Sequence, residues 1–260
     1  MGALYWQLND IWPAPTWSSI EHCGRWKPLH NFMKHSFADI LVSGYQLAGE
    51  HSLHIHVSNG RPVTVKGTLY IRSYNIQSGE LKEQPKTCFS IKCYKEYAMK
   101  VEPSLLRVDN DDATCVIFAT AIITSEGSMS EQTFEMLPLP FPCRDAFPLE
   151  SLVGDPKIVV EAMKVETNEE GYYVHITLRS SELAGFVWLE WESQGEEIEG
   201  YFEENAFWIL PGGSGHTLFH GKDKKNLKYI QEHNLHIKSL WDVLQCSRLL
   251  EDDILSETII

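Results

Sequence analysis

Three side chains near the amino terminus have the chemistry to bind a sugar ring. Trp6 lies near the end of the apolar run Gly2 to Leu8, and Asn9 and Asp10 follow that run directly. An indole can stack on the apolar face of a pyranose, and amide and carboxylate groups can hydrogen-bond with its hydroxyls. The alternative is structural. Trp6 would then only pack, and Asn9 and Asp10 would order the loop through their side chains.

Other residues that could ligate a metal or transfer a proton give weaker signals. His54 and His56 lie two apart in a predicted strand and therefore face the same side, but no third ligand is identifiable. Asn168-Glu169 lies in a polar hairpin turn, which does not favour a catalytic acid. We predict no catalytic residue, no metal site and no cofactor in this chain.

The segment that carries Trp6 predicts one strand, a loop and one helix. Gly2 to Leu8 is typical of a buried parallel strand, and residues 9–28 are typical of a loop. In that loop we expect Glu21 either to hold Arg25 or Lys27 or to cap a turn. Apolar residues then recur at helical spacing over Pro28 to Ile40. A lone strand and helix bury too little apolar surface to offset the entropy of ordering. The unit is therefore typical of the closing piece of a barrel.

The rest of the chain predicts two antiparallel β-sandwiches. Short strand-like runs separated by turns occupy residues 42–142 and again 143–245, and Val63 to Ser73 alternates cleanly. Leu137 to Pro142 is rich in proline and predicts a stiff extended linker. We therefore divide the chain into a terminal β/α unit (1–41), a first Ig-like sandwich (42–142), a second (143–245) and a tail (246–260).

Two sets of residues resemble a known family. The run Gly2-Ala3-Leu4-Tyr5-Trp6-Gln7-Leu8-Asn9-Asp10-Ile11-Trp12-Pro13, with Ser18 to Glu21 and Gly24 to His30, resembles the eighth strand, its loop and the last helix of the barrel in β-mannosidases of glycoside hydrolase family 2. Phe186 to Glu190 and Gly200 to Phe207 resemble the Ig-like domain that closes those enzymes. The second match departs at Glu203-Glu204-Asn205-Ala206, where the family typically has Ser-Asp-Asn-Gly.

This resemblance implies a mostly β fold in which two Ig-like sandwiches follow the last strand and helix of a (β/α)₈ barrel. It implies retaining hydrolysis of terminal, non-reducing β-D-mannosyl residues in the full-length family, with a β-mannosyl oligosaccharide as substrate. By resemblance, Trp6 lines the subsite of the cleaved sugar, with Asn9 and Asp10 as further candidate contacts; Trp12, Trp17 and Trp26 are expected to be loop and helix anchors.

The same resemblance places the two catalytic glutamates at the ends of the fourth and seventh strands. We expect both to lie upstream of Met1, so that this chain is a carboxy-terminal fragment and catalytically incomplete. It would be a truncated reading of the gene, a spliced isoform or a degenerate paralogue. The alternatives to an enzyme fragment are a carbohydrate-binding or protein-interaction module built on the sandwiches, and sandwiches that only brace a barrel.

Composition excludes several classes of partner. The formal net charge of −14 argues against nucleic acid and anionic membranes, and no run of about 18 apolar residues predicts a membrane span. Six cysteines lack C-x-x-C spacing, and one or two disulfides among Cys88, Cys93, Cys115 and Cys143 are possible in an oxidising compartment. The resemblance implies a lysosomal or secreted protein, although the chain shows neither a signal peptide nor a glycosylation sequon.

Overall fold

A computed structural model describes residues 3–47, 52–76, 78–102, 115–125, 128–135, 139–141, 154–192 and 198–245. The chain divides into two compact units, one formed by Met1–Met33 with Leu152–Ile260 and the other by Lys34–Ser151. Residues 1–33 therefore group with the second predicted sandwich. The predicted boundaries after residues 41, 142 and 245 stay predictions.

The unit Lys34–Ser151 is built from two antiparallel sheets. Its strands are β1 Ile40–Gln46, β2 Leu53–Asn59, β3 Val65–Asn75, β4 Leu81–Glu83, β5 Thr87–Ile91, β6 Glu96–Val101, β7 Cys115–Ser125, β8 Ser128–Glu135 and β9 Leu139–Phe141. One sheet has the order β1–β2–β6; the other has β4–β3–β7–β8, with β5 also on β3 and β9 on β7. Alternate residues of β2 and β3 are buried, as the period of two requires.

Two predictions in this unit are wrong. The helix predicted to reach Ile40 ends earlier, because Ile40 pairs with Asn59 and begins β1. The proline-rich segment predicted to be a linker contains β9, whose Pro140 lies opposite Val116 of β7. Proline lacks an N–H and is tolerated at a sheet edge, where one side of the strand needs no donor.

The second sandwich lies in the unit that contains residues 154–245. Its strands are β10 Val159–Thr167, β11 Tyr172–Arg179, β12 Ala184–Trp191, β13 Gly200–Phe202, β14 Phe207–Ile209, β15 Ser214–Gly221 and β16 Leu235–Lys238. The sheet orders are β10–β11–β15–β13 and β14–β12–β16. The core between these sheets includes Tyr172, Val174, Ile176, Leu178, Val187, Leu189, Ile209 and Phe219. The mostly β, antiparallel sandwich architecture predicted from the sequence is confirmed.

The predicted hairpin around residues 168–171 is also confirmed. The Asn168 Oδ1 atom accepts hydrogen bonds from the main-chain N–H groups of Glu170 and Gly171, at 2.9 and 3.0 Å. This side-chain turn joins β10 to β11 in the register Thr167–Tyr172.

The amino-terminal segment packs within the same unit as the second sandwich. The predicted helix forms as α1, Pro28–Ser36, and Phe32 meets Phe186 edge-on with ring centroids 6.0 Å apart. The predicted strand is wrong for residues 3–8, which pair only locally: the Leu8 carbonyl accepts from the N–H groups of Ser19 and Ile20. Within the described part of the chain, no neighbouring strand offers residues 3–8 the ladder that a parallel strand needs. No helix in that part is long and apolar enough to span a bilayer.

Candidate functional site

Trp6 projects from an anchored segment. Its side chain is 78% exposed, and the Trp6–Gln7 peptide bond is cis. On one side, the Tyr5 hydroxyl lies 3.0 Å from the Ser19 Oγ atom; on the other, Ser19 Oγ donates to the Leu8 carbonyl at 2.9 Å. The main chain on both sides of Trp6 is therefore fixed, while its indole is free to stack on a ligand.

Asp10 is buried, and both of its carboxylate oxygens are occupied. Thr16 donates to Oδ1, and the Lys27 ammonium donates to Oδ2 at 2.8 Å and to the Ser18 hydroxyl at 2.7 Å. The hydrogen bond from Lys27, followed by that from Thr16, lowers the pKa of Asp10 to about 2. In this arrangement Asp10 orders the loop as an anion at neutral pH.

Asn9 is exposed; its main chain forms an isolated bridge with Ile20, and its side-chain Nδ2 donates to the Asp10 carbonyl at 3.0 Å. Trp6, Asn9 and Asp10 therefore lie on one short segment, but only Trp6 and Asn9 are presented to solvent. A direct sugar contact by any of the three stays a prediction.

The other aromatic residues of this segment divide into two groups. Trp26 stacks on Tyr201, with ring centroids 4.6 Å apart, and is the anchor that the sequence predicted. That prediction is wrong for Trp12 and Trp17, which are exposed, Trp17 by 82%. With Leu4 and Ile11 they form what we call the exposed loop face.

Glu21 holds Arg25, as predicted. The guanidinium Nε and Nη2 atoms donate to the two Glu21 carboxylate oxygens at 3.0 and 2.8 Å. This bidentate pair lowers the pKa of Glu21 and raises that of Arg25. A second oxygen acceptor, Oε1 of Glu190 on β12, lies 3.7 Å from Nη1 of Arg25.

Glu21, Arg25 and Glu190 line a cleft of about 690 Å³ in the unit that contains the second sandwich. The strands β12, β13 and β15 contribute further lining residues, among them Trp188, Trp191, Tyr201 and Phe219. Sequence reasoning did not find this cleft. The aromatic residues at Trp188 and Trp191 were the available signal, but they also fit a strand that packs a core.

Asn205 lines the cleft and is hydrogen-bonded to β12. Its Nδ2 donates to the Leu189 carbonyl at 3.0 Å, and its Oδ1 accepts from the Leu189 N–H at 2.8 Å. Oδ1 also accepts from the N–H of Ala206, which has a φ of 60°. The pairing of β12 with β14 covers Ala184 to Val187, so Asn205 continues that edge with its side chain.

The remaining candidates do not assemble a site. His54 and His56 both stack against Tyr45, with centroids 5.0 and 5.4 Å from it, and His56 lies 3.2 Å from Glu96. Among the residues that the structure describes, no group of three or more His, Cys, Asp or Glu side chains could hold a metal ion.

The described cysteines carry free thiols. Cys23, Cys88 and Cys93 are free and exposed, so Cys88 and Cys93 are not joined to each other. The other cysteine side chains, including those of Cys115 and Cys143, lie outside the described part, and their predicted pairing stays a prediction.

Comparison with known proteins identifies relatives for nearly the whole chain. Residues 154–243 match the Ig_mannosidase family, an Ig-fold domain. A β-mannosidase from Bos taurus is 31% identical over 247 residues, and β-mannosidase A from Aspergillus niger is 29% identical over 254. Each alignment covers 93% of this chain and, respectively, 26% and 25% of the relative. The chain thus spans about a quarter of the length of the curated relatives it matches.

A solved β-D-mannosidase from Dictyoglomus thermophilum has the same fold over most of the chain, with a TM-score of 0.61 at 21% identity. That match covers 90% of this chain and 25% of the solved one. An exo-chitosanase from Amycolatopsis orientalis also has a TM-score of 0.61, at 14% identity. That match covers 91% of this chain and 29% of the exo-chitosanase chain. The resemblance given by the sequence motifs is confirmed.

Proposed function

We propose that this β-mannosidase-like chain is part of a glycoside hydrolase that removes terminal, non-reducing β-D-mannosyl residues, and that Trp6 is its sugar-stacking platform. One observation carries the proposal: similarity to β-mannosidases extends over 93% of a chain whose amino-terminal segment presents the Trp6 indole to solvent. An aromatic face of this kind binds the C–H groups of a pyranose and leaves its hydroxyls for hydrogen bonds.

The carboxylates nearest to Trp6 in the chain are unsuited to acid catalysis. Asp10 is tied to Lys27, and Glu21 is tied to Arg25, and these contacts lower both pKa values. A general acid for a glycoside needs the opposite, a pKa raised toward the working pH. We propose that the catalytic carboxyl pair comes from outside the described residues and that this chain supplies the platform and its support.

A graft tests the platform. The matched quarter of the Bos taurus β-mannosidase would be replaced by this chain, and turnover of p-nitrophenyl β-mannoside would be measured for the chimera. We expect Trp6→Ala to lower kcat/KM by about fivefold, since one lost stacking contact costs on the order of 1 kcal/mol. Trp17→Ala removes an indole from the same loop and is the matched control.

Equal activity of the chimera with Trp6 and with Trp6→Ala would contradict the platform role. An active chain of 260 residues on its own would contradict the proposal that the carboxyl pair lies elsewhere. In that case, Glu21→Gln and Asp10→Asn would be the first variants to test.

We also propose a lysosomal or secreted location, and a β-mannosyl oligosaccharide as the natural ligand. The family resemblance supports both, and the net charge of −14 suits an acidic compartment, where protonation relaxes repulsion between carboxylates. Imaging a fluorescent fusion of the full-length gene product tests the location; a diffuse cytosolic signal would contradict it.

A further inference from the structure

The cleft beside Arg25 has the features of a binding site that is separate from the Trp6 platform. We propose that it binds a neutral oligosaccharide of pyranose rings, with the indole of Trp188 as the stacking surface. The cleft does not include Trp6, Asn9 or Asp10, so this proposal does not depend on the function proposed above.

The aromatic residues of the cleft have distinct roles. Trp26 and Tyr201 line the cleft and stack on each other at 4.6 Å, and Tyr201 also stacks on His220, which is outside the lining, at 4.7 Å, so the ring faces between them are used. Trp191 packs on Phe219 at 5.8 Å. Trp188 is half-buried, and no ring of the described residues stacks on it. Its face is therefore a candidate stacking surface for a sugar ring.

Two buried polar atoms at the cleft lack hydrogen-bond partners in the described part of the chain. One is the Oδ1 acceptor of Asn31, whose residue is 2% exposed; the other is the Nε1–H donor of Trp191. Leaving such groups unpaired costs about 1–3 kcal/mol each. Both residues line the cleft. A hydroxyl both donates and accepts, so a polyol could pair with an acceptor and a donor in the same site.

The charges of the cleft favour a neutral ligand. Glu21, Glu190 and Glu199 face Arg25 and Lys222, so the lining has one net negative charge. Arg25 already holds Glu21 in a bidentate pair and lies 3.7 Å from Glu190. The lining thus offers no unpaired cation cluster to an anion, but it has several carboxylate oxygens that accept from hydroxyls. Apolar faces with a few polar groups are typical of small-ligand sites.

Calorimetry on the whole chain tests the proposal, with β-1,4-mannotriose and cellotriose as the probes. We expect binding with a Kd on the order of 1 mM, a value typical of weak polar sites. Trp188→Ala should weaken binding about tenfold, and Glu190→Gln, which keeps the volume of the side chain, by about threefold. Circular dichroism and melting curves identify any variant that fails to fold, and Glu190→Gln then carries the test.

A matched control separates this site from the exposed amino-terminal loop. Trp17→Ala removes an exposed indole outside the cleft and should leave the Kd unchanged. Binding that persists in Trp188→Ala and Glu190→Gln, or that disappears in Trp17→Ala, would overturn the proposal. So would the absence of heat with both trisaccharides at millimolar concentration.

A third probe tests the neutrality of the ligand. Glucosamine dimers carry positive charge, and salt weakens charge-driven binding. Tighter, salt-sensitive binding of the dimer than of the neutral sugars would overturn the neutral assignment, whereas equal or weaker binding supports it. An inactive chimera in the turnover assay would contradict the β-mannosidase proposal and leave these binding results unaffected.

Discussion

Replacing Asn205 by alanine should destabilise the unit that contains the second sandwich by about 3 kcal/mol. The change removes the partners of the Leu189 N–H and carbonyl groups and of the Ala206 N–H, and both residues are buried. An unpaired buried main-chain group costs about 1–3 kcal/mol, and three groups at about 1 kcal/mol give the total. With a urea m-value of about 1.5–2 kcal/mol/M, the unfolding midpoint should fall by about 1.5–2 M.

The chain offers a clean optical probe for this measurement. All eight tryptophans lie within 1–33 or 152–260, so indole fluorescence reports on one compact unit only. Unfolding of the other unit, Lys34–Ser151, does not contribute an indole signal. The urea transition can therefore be assigned to the unit that contains Asn205, even where the two units unfold separately.

The matched control is Asn168→Ala. Asn168 also binds two main-chain N–H groups through Oδ1, at 2.9 and 3.0 Å, but it lies in an exposed turn. The Glu170 contact is exposed and water can replace it, while the Gly171 contact is only part-buried, so the loss there should be about 1 kcal/mol. Equal losses in the two variants, or a loss under about 1 kcal/mol for Asn205→Ala, would refute the reasoning that burial decides the cost.

Three further predictions concern acid stability, core packing and association. The lowered pKa of Asp10 stabilises the fold above pH 4, and this contribution is lost as the pH falls through about 2. Lys27→Met should therefore move the midpoint of acid unfolding, followed by fluorescence, to higher pH. An unchanged midpoint would count against the ion pair. Gly221→Ala should cost about 1–3 kcal/mol in urea unfolding, because a Cβ there would lie 2.0 Å from the Tyr172 ring, whereas Gly154→Ala, which meets nothing within 4 Å, should be neutral. The exposed loop face should make the isolated chain self-associate with rising concentration in light scattering, and replacing its two tryptophans by serine should suppress this; a monomer at all concentrations would contradict it.

The strands that the sequence predicted correctly share one physical cause. In β3 and β11, alternate residues are buried, so the period of two in the sequence reports directly on the fold. The helix α1 was recognisable from apolar residues at helical spacing and from Pro28 at its start, although its buried residue is the polar Asn31. The Glu21–Arg25 pair could be predicted because an acidic side chain lies close in the chain to the only nearby cations, Arg25 and Lys27.

The features that sequence reasoning missed depend on contacts between distant segments. The strand predicted over Gly2 to Leu8 is apolar enough to be a strand, but a ladder requires a neighbour, and none adjoins residues 3–8 in the described part. The cleft joins Arg25 and Trp26 to Glu190 and Tyr201, a pairing that no local pattern encodes. The short strand β13 was missed because three residues show no period.

The main-chain character of the Asn205 contact has a consequence for how the neighbouring surface can change. Both hydrogen bonds go to the peptide groups of Leu189, so they do not depend on which side chains flank that residue. Trp188 and Glu190, one on each side, line the cleft and can be exchanged without loss of either bond. Scaffold and lining are thus chemically independent on this strand, and related proteins could diversify what the cleft accepts while keeping the same framework.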